Sequence, residues 1–222
     1  MSLLKRLGDN SNPGSLATRM RRRRFAFFLS LLDTVKRPVR ILDVGGTQQF
    51  WDVMGHEKLE EVRITLLNRL PAQSLAPAFE AVSGDARDLG RYETGSFDVV
   101  FSNSVIEHLG PSFADQRRMA NEIRRVGRRY FVQTPNRYFV LEPHFLVPGF
   151  QFMPLAARTW LVSHFDVGWY RRIPDRAAAR REVESVALLT ARQLKELFPE
   201  ARIYREKLLG MTKSFVAYHG WH

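Results

Sequence analysis

The sequence predicts an α/β fold built on a mostly parallel, doubly wound, seven-stranded sheet. Three observations carry this: apolar strand-like runs alternate with helical segments, polar or glycine-rich residues follow several of those runs, and 222 residues suit one well-buried domain. Composition agrees, with 45% hydrophobic and 26% charged residues, and it argues against a disordered or fibrous chain.

Residues 1–15, with Gly8, Asn10, Pro13 and Gly14, read as a loose arm. A helix is expected from Leu16 to Val35. It carries Arg19 and Arg21 to Arg24 and then the apolar run Phe25 to Leu32. A secretory signal is not expected here. The run lacks a small-residue cleavage site, closes on Asp33 and Lys36-Arg37, and is too short for a bilayer, which needs about 20 apolar residues. Two readings remain, a helix packed on the sheet and peripheral membrane contact through residues 21–32, of which the packed helix is preferred.

After Pro38, Val39 to Val44 is the first strand, and Glu61 to Leu67 and Phe79 to Ser83 are the next two. Phe97 to Phe101 is the fourth, a helix covers Ser112 to Val126, and Arg129 to Gln133 is the fifth. Thr190-Ala191-Arg192-Gln193 is a capping box that opens a helix ended by Pro199. Arg202 to Lys207 and Lys213 to His219 complete the sheet. Between the fifth strand and the capping box, residues 135–185 hold nine aromatics, among them Tyr138, Phe145, Phe150, Trp160 and Trp169. So long an irregular stretch between sheet elements points to a helical, aromatic lid over a substrate, within a single domain spanning 16–222.

In such a sheet, ligands bind beyond the carboxyl ends of the strands. Asp43, Gly45 and Gly46 follow the first strand, Asn68 the second, Gly84-Asp85-Ala86 the third, and Ser102 to Leu109 the fourth. Glycine lets backbone N–H groups approach a ligand, an amide can bond ribose hydroxyls, and a carboxylate can accept from an adenine amino group. A dinucleotide site is not expected, because Gly45-Gly46-Thr47-Gln48-Gln49-Phe50 lacks the G-x-G-x-x-G spacing.

The ordered set from Val39 to Asn136 resembles the class I S-adenosylmethionine-dependent methyltransferases, with their Rossmann-like fold. The resemblance is carried by Ile41 to Gly46, Gly84-Asp85-Ala86, Ser96 to Val100 and Val105-Ile106-Glu107-His108-Leu109. It implies S-adenosylmethionine as cofactor, with Asp43 organising the loop and methionine end, Gly45 and Gly46 in close approach, and Asn68 at the ribose. Asp85 and Ala86 would flank the adenine and Asn103 would lie under the methionine. Thr47 and Gln49 depart from the family's further glycines, and Asn68 from its usual acidic residue.

For catalysis, His108 is the candidate base, with Glu107 orienting it and His144 lining the acceptor pocket. The alternative is that Glu107 caps the following helix and His108 is an ordinary polar residue at its start. Arg137, Arg171 and Arg172 could hold a phosphate or carboxylate. Metal-dependent small-RNA 2'-O-methyltransferases carry a Glu-x-x-Glu-His run and a later His. Ser104-x-x-Glu107-His108 with His144 is similar here, but Ser104 replaces the first carboxylate, so a divalent metal is not favoured even with Glu142 as a substitute ligand.

The formal charge of +11, mostly from arginine, suits phosphate recognition or plain surface solvation. Nucleic acid is not favoured, since no separate RNA-binding module and no base-amino motif follows the fourth strand. The absence of cysteine excludes disulfides, thiolate metal sites and cysteine nucleophiles, and fits a cytoplasmic setting. The expected function is methyl transfer to an oxygen of a small or lipid-linked acceptor, a sugar or phenolic metabolite. RNA ribose methylation and a non-catalytic cofactor-binding protein are the alternatives.

Overall fold

The computed structural model describes residues 5, 12, 14–55, 59–70 and 76–221. Most of the arm expected over 1–15 lies outside them. Within the described residues the order is α1 (Leu16–Leu32), β1 (Val39–Val44), α2 (Gln48–Met54), β2 (Val62–Asn68), β3 (Phe79–Ser83), β4 (Val99–Asn103), α3 (Phe113–Val126) and β5 (Tyr130–Pro135). Then come α4 (Leu155–His164), α5 (Arg176–Glu184), α6 (Ala191–Leu197), β6 (Arg202–Leu208) and β7 (Met211–His219). The sheet order is β3-β2-β1-β4-β5-β7-β6. β1 to β5 pair in parallel, whereas β7 runs antiparallel to both β5 and β6. The mostly parallel, seven-stranded sheet predicted by the alternation is therefore the one observed.

The central strands read as continuous apolar runs because both faces of the sheet are covered. On one face Leu42, Val44, Val100, Tyr130 and Val132 pack with Met119, Ala120 and Ile123 of α3 and Leu194 and Leu197 of α6. On the other, Val39, Ile41, Val99, Phe101 and Phe131 meet Phe25, Phe28 and Leu32 of α1 and Trp51 of α2. Phe28, Phe101 and Phe131 form an aromatic seam with centroids 4.8–5.6 Å apart.

This packing corrects the membrane reading of residues 21–32. The apolar side chains an interfacial helix would insert, Phe25, Phe28 and Leu32, are buried against the sheet, and the exposed side shows Arg19, Arg22, Arg23, Ala26 and Ser30. No helix among the described residues is long and apolar enough to cross a membrane.

Boundaries shift for identifiable reasons. α1 stops at Leu32, where Asp33 caps it, rather than at Val35. β4 starts at Val99, since Phe97 makes only an isolated bridge to Gly127, and it runs on to Asn103. The capping box at Thr190 forms in full.

The stretch expected to be a lid contains α4, α5 and a core of its own. Phe145, Phe150, Val162, Val167, Ala179 and Val183 are buried together, and Phe145 stacks on Phe150 at 4.3 Å and on Tyr170 at 4.9 Å. Tyr138, Phe152, Trp160, Phe165 and Trp169 are instead exposed.

Candidate active site

The register sets the site. Val44 of β1 is level with Leu67 of β2 and Ser102 of β4, while Asn68 is level with Ser83 and Asn103 with Gln133. The Asp43–Gly46 turn, Asn68, Asp85 and Asn103 therefore leave the sheet at one edge, as predicted.

Asp43 is 1% exposed. Its Oδ2 accepts from Trp51 Nε1 at 2.7 Å, its Oδ1 has no hydrogen-bond partner, and burial pushes the carboxyl up to about 7. The turn around it cannot take larger residues. Gly45 sits at φ 78°, and a Cβ there would lie 2.5 Å from Val105. A Cβ on Gly46 would lie 1.7 Å from Asp43 Oδ2. Thr47, which stands in place of a further glycine, caps α2 by accepting from Phe50 N–H.

Asn68 Nδ2 donates to the Gly46 carbonyl at 2.7 Å, which ties β2 to the turn. Asp85 is held by arginines: Oδ1 accepts from the Arg87 backbone and Nε, each at 2.9 Å, and Oδ2 from Arg87 Nη2 at 2.6 Å and Arg69 at 3.5 Å. These bonds hold its carboxyl down to about 2. Ala86 packs against the core beside it.

Asn103 Oδ1 accepts from Arg24 Nη2 at 3.0 Å, and the same buried guanidinium pairs with Glu206 at 3.0 Å, which also accepts from Ser214 Oγ at 2.6 Å. Arg21 and Lys213 crowd the same carboxylate, and burial lowers the pKa of both. Arg24 was not among the expected site residues. Its one sequence signal is position, since it shares a helical stripe with Phe28 and Leu32.

Past β4 the chain makes a short turn of 3₁₀ helix, Ile106–His108. Ser104, at φ 59°, gives its hydroxyl to Gln133 Oε1 at 2.8 Å. Glu107 is fully buried and does not orient His108 as expected. Its Oε2 accepts from Thr134 Oγ1 at 2.9 Å, and its Oε1 has no partner. Burial pushes this carboxyl up to about 7.

The histidine that is oriented is His144. Glu142, 2% exposed, accepts from its Nδ1 at 2.6 Å and from its backbone N–H at 2.8 Å. Its Nε2 meets His108 Nε2 at 3.1 Å, and partial burial together with His144 holds His108 below the usual imidazole range.

Glu142 also lines a cavity of about 220 Å³, together with Gln116, Arg137, Phe145, Phe150, Gln151 and Arg158 among others. Burial and the charge of Arg137 lower the pKa of Arg158, whose Nε has no partner. Arg137 was expected here; Arg158 was not, because on a helix of mixed character it reads as an ordinary surface arginine. Arg171 and Arg172 do not line this cavity.

Comparison with known proteins places this geometry. Residues 38–130 match the family model described as a methyltransferase domain. No curated protein matches the chain in sequence. A Nostoc punctiforme structure described as a candidate O-methyltransferase superposes with TM-score 0.52 at 12% identity, over 90% of this chain and 57% of that one. This chain thus spans little more than half of that protein.

A chain of the complex between the Haloferax volcanii Trm112 methyltransferase activator and a methyltransferase gives 0.51 at 12% identity, over 98% and 97%. The CurJ carbon methyltransferase gives 0.52 at 12% identity, over 97% and 65%. At such identities the likeness is one of fold, and because it spans oxygen and carbon methyltransferases it leaves the acceptor atom open. With the matched stretch, the strand order and the strand-end loops in place, residues 38–130 are similar to a methyltransferase domain, and the chain has the fold of the class I S-adenosylmethionine-dependent methyltransferases.

Proposed function

We propose that the protein transfers a methyl group from S-adenosylmethionine to an oxygen of a small acceptor bearing a carboxylate or phosphate. The observation that carries this reading is a chain of contacts that starts just past the end of β4: His108 meets His144, His144 is held by Glu142, and Glu142 lines the arginine-bearing cavity.

In this reading the turn receives the cofactor's methionine end. Arg21, Arg24 and Lys213, three cations around the single carboxylate of Glu206, supply attraction for the methionine carboxylate. Asn68, its nitrogen already committed to Gly46, offers its amide oxygen to a ribose hydroxyl. Asp85 meets the adenine amino group only by sharing oxygens that Arg87 now holds, and Ala86 lies beside the ring. Arg137 and Arg158 favour an anionic acceptor, because the buried Nε of Arg158 lacks a partner. At about 220 Å³ the cavity is smaller than the roughly 300–1,000 Å³ of drug-sized sites, which suits a small acceptor.

Transfer requires the acceptor oxygen in line with the sulfonium methyl, so positioning supplies much of the rate. His108, neutral at physiological pH and backed by His144 and Glu142, is the group placed to take the acceptor proton.

Calorimetry with S-adenosylmethionine, followed by a screen of hydroxylated carboxylates and phosphates for gain of one methyl by mass spectrometry, tests the reading. Arg158→Gln is expected to raise the acceptor KM about tenfold or more while cofactor affinity holds. Absence of cofactor binding would remove the whole proposal. Methylation only of uncharged acceptors, indifferent to Arg158, would remove the anionic substrate class.

A further inference from the structure

We infer that Glu107, His108 and His144 form a binding site for one divalent transition-metal ion, with Glu142 holding His144 in place. Their nearest donor atoms all lie within 4.8 Å of one another. Three independent features of the geometry point to a cation among them.

The first is the facing of the two imidazoles. His108 Nε2 and His144 Nε2 are 3.1 Å apart, with the rings at 87° to each other. Two imidazole nitrogens bound to a common ion at about 2.0–2.1 Å, in tetrahedral or octahedral geometry, stand about 3.0–3.4 Å apart.

The second is the proton count. Glu142 is buried and accepts from His144 Nδ1 at 2.6 Å, which places the ring proton there. His144 Nε2 therefore presents a lone pair toward His108. A carboxylate on the distal nitrogen of a ligating histidine is the usual way a protein fixes that tautomer and ring angle for a metal.

The third is Glu107. It is 0% exposed, and one oxygen is satisfied by Thr134 while Oε1 has no partner. A buried carboxylate with an idle oxygen is costly unless a cation or proton compensates it. Arg24, a buried guanidinium that feels the charge of Glu107, is already engaged by Glu206 and Asn103.

Two imidazoles and one carboxylate select a borderline ion such as Zn²⁺, Co²⁺ or Fe²⁺ over Mg²⁺ or Ca²⁺, which prefer all-oxygen shells. Three protein ligands leave coordination positions open for an acceptor oxygen. Ser104, committed to Gln133, is not part of the set. The role in acceptor binding rests on the methyltransferase reading above, and with the ion bound it replaces the role of His108 Nε2 as proton acceptor, since that lone pair is then on the metal; the metal site itself does not rest on that reading.

The test uses the full chain, free of any polyhistidine tag, stripped of metal by chelator, and without cofactor or acceptor. Titration with Co²⁺ should give visible ligand-field absorption that saturates at one equivalent and is displaced by Zn²⁺. His108→Ala and His144→Ala should each weaken binding about 100-fold or more, and Glu142→Gln about 10- to 100-fold as expected for a supporting carboxylate. Ser104→Ala should leave binding unchanged.

No saturable absorption in the unsubstituted protein would overturn the site whatever the variants do. So would a one-equivalent spectrum that survives His108→Ala in a protein whose circular dichroism shows it folded. Calorimetry with S-adenosylmethionine on the same preparation separates the two ideas: loss of metal binding with cofactor binding intact sinks only the metal site, and the reverse sinks only the cofactor reading.

Discussion

Replacing Asp43 by asparagine should change how stability depends on pH more than it changes stability at any single mild pH. Burial pushes the Asp43 carboxyl from an ordinary value of 3.8 up to about 7, and the Trp51 hydrogen bond only partly opposes it. A folded-state value above the unfolded one means that the folded chain holds the proton more tightly. The stabilisation is complete at low pH and is lost as pH rises through about 7.

The whole displacement is equivalent to about 4 kcal/mol, and linkage places about 2.5 kcal/mol of it between pH 5 and pH 8.5. The amide side chain would keep an oxygen for Trp51 Nε1 in a nearly isosteric shape, yet carry no titrating proton. Urea unfolding at pH 5, 7 and 8.5 should therefore show the wild type losing about 2.5 kcal/mol more than Asp43→Asn over that range. Other titrating groups cancel in the difference. Parallel pH profiles for the two proteins would refute the argument, because they would mean that water or a neighbouring cation reaches Asp43 and keeps it ionised.

Gly46→Ala should be disruptive out of proportion to one methyl, since its Cβ would lie 1.7 Å from Asp43 Oδ2 and Asp43 is itself pinned by Trp51. Thermal melts and cofactor calorimetry should show both stability and affinity falling, whereas Thr47→Ala should cost only about 1 kcal/mol as a lost cap. Arg24→Met removes the one guanidinium seen to pair directly with buried Glu206 and leaves only the more distant charges of Arg21 and Lys213, for an expected loss of about 3 kcal/mol in urea unfolding. Adding Glu206→Leu should recover much of that loss, and a double variant no better than the single would contradict it. Phe145→Ala removes the centre of the insertion's own core, about 3–5 kcal/mol of local packing. Proteolytic cleavage should then rise within residues 135–185 while cofactor affinity holds, and equal cleavage throughout the chain would show that the insertion does not open alone.

What could be read from the sequence depended on how far each residue's partner lies along the chain. The strands were legible because a strand buried on both faces needs only a short apolar run. Their carboxyl ends were legible because chain direction alone says which end of a parallel strand faces a ligand. Thr190 was legible as a cap because its partner Gln193 is three residues away.

The polar contacts that finish the site are of another kind. Arg24 answers to Glu206, 182 residues later, and Asn103 to Arg24, 79 residues earlier. Even Glu142, two residues from His144, gave no local sign that its carboxylate would fold back onto that ring and onto the backbone N–H groups of His144 and Phe145. The nine aromatics were unreadable one by one for the same reason. Which of them line a cavity and which form a surface depends on how α4 and α5 pack on each other, and only Phe145 and Phe150 line the cavity.

A doubly wound sheet gathers strand ends from distant parts of the chain at one edge, so long-range pairs concentrate there. The cofactor half, built from turns directly after strands, is the part a single sequence displays. The arginine-bearing cavity, lined mostly by residues between β5 and α6, is specified by contacts that appear only once the chain is folded. In the proposed reading, the partnerless Nε of Arg158 and the partnerless oxygen of Glu107, neither of which the sequence marks as partnerless, set what can be bound there.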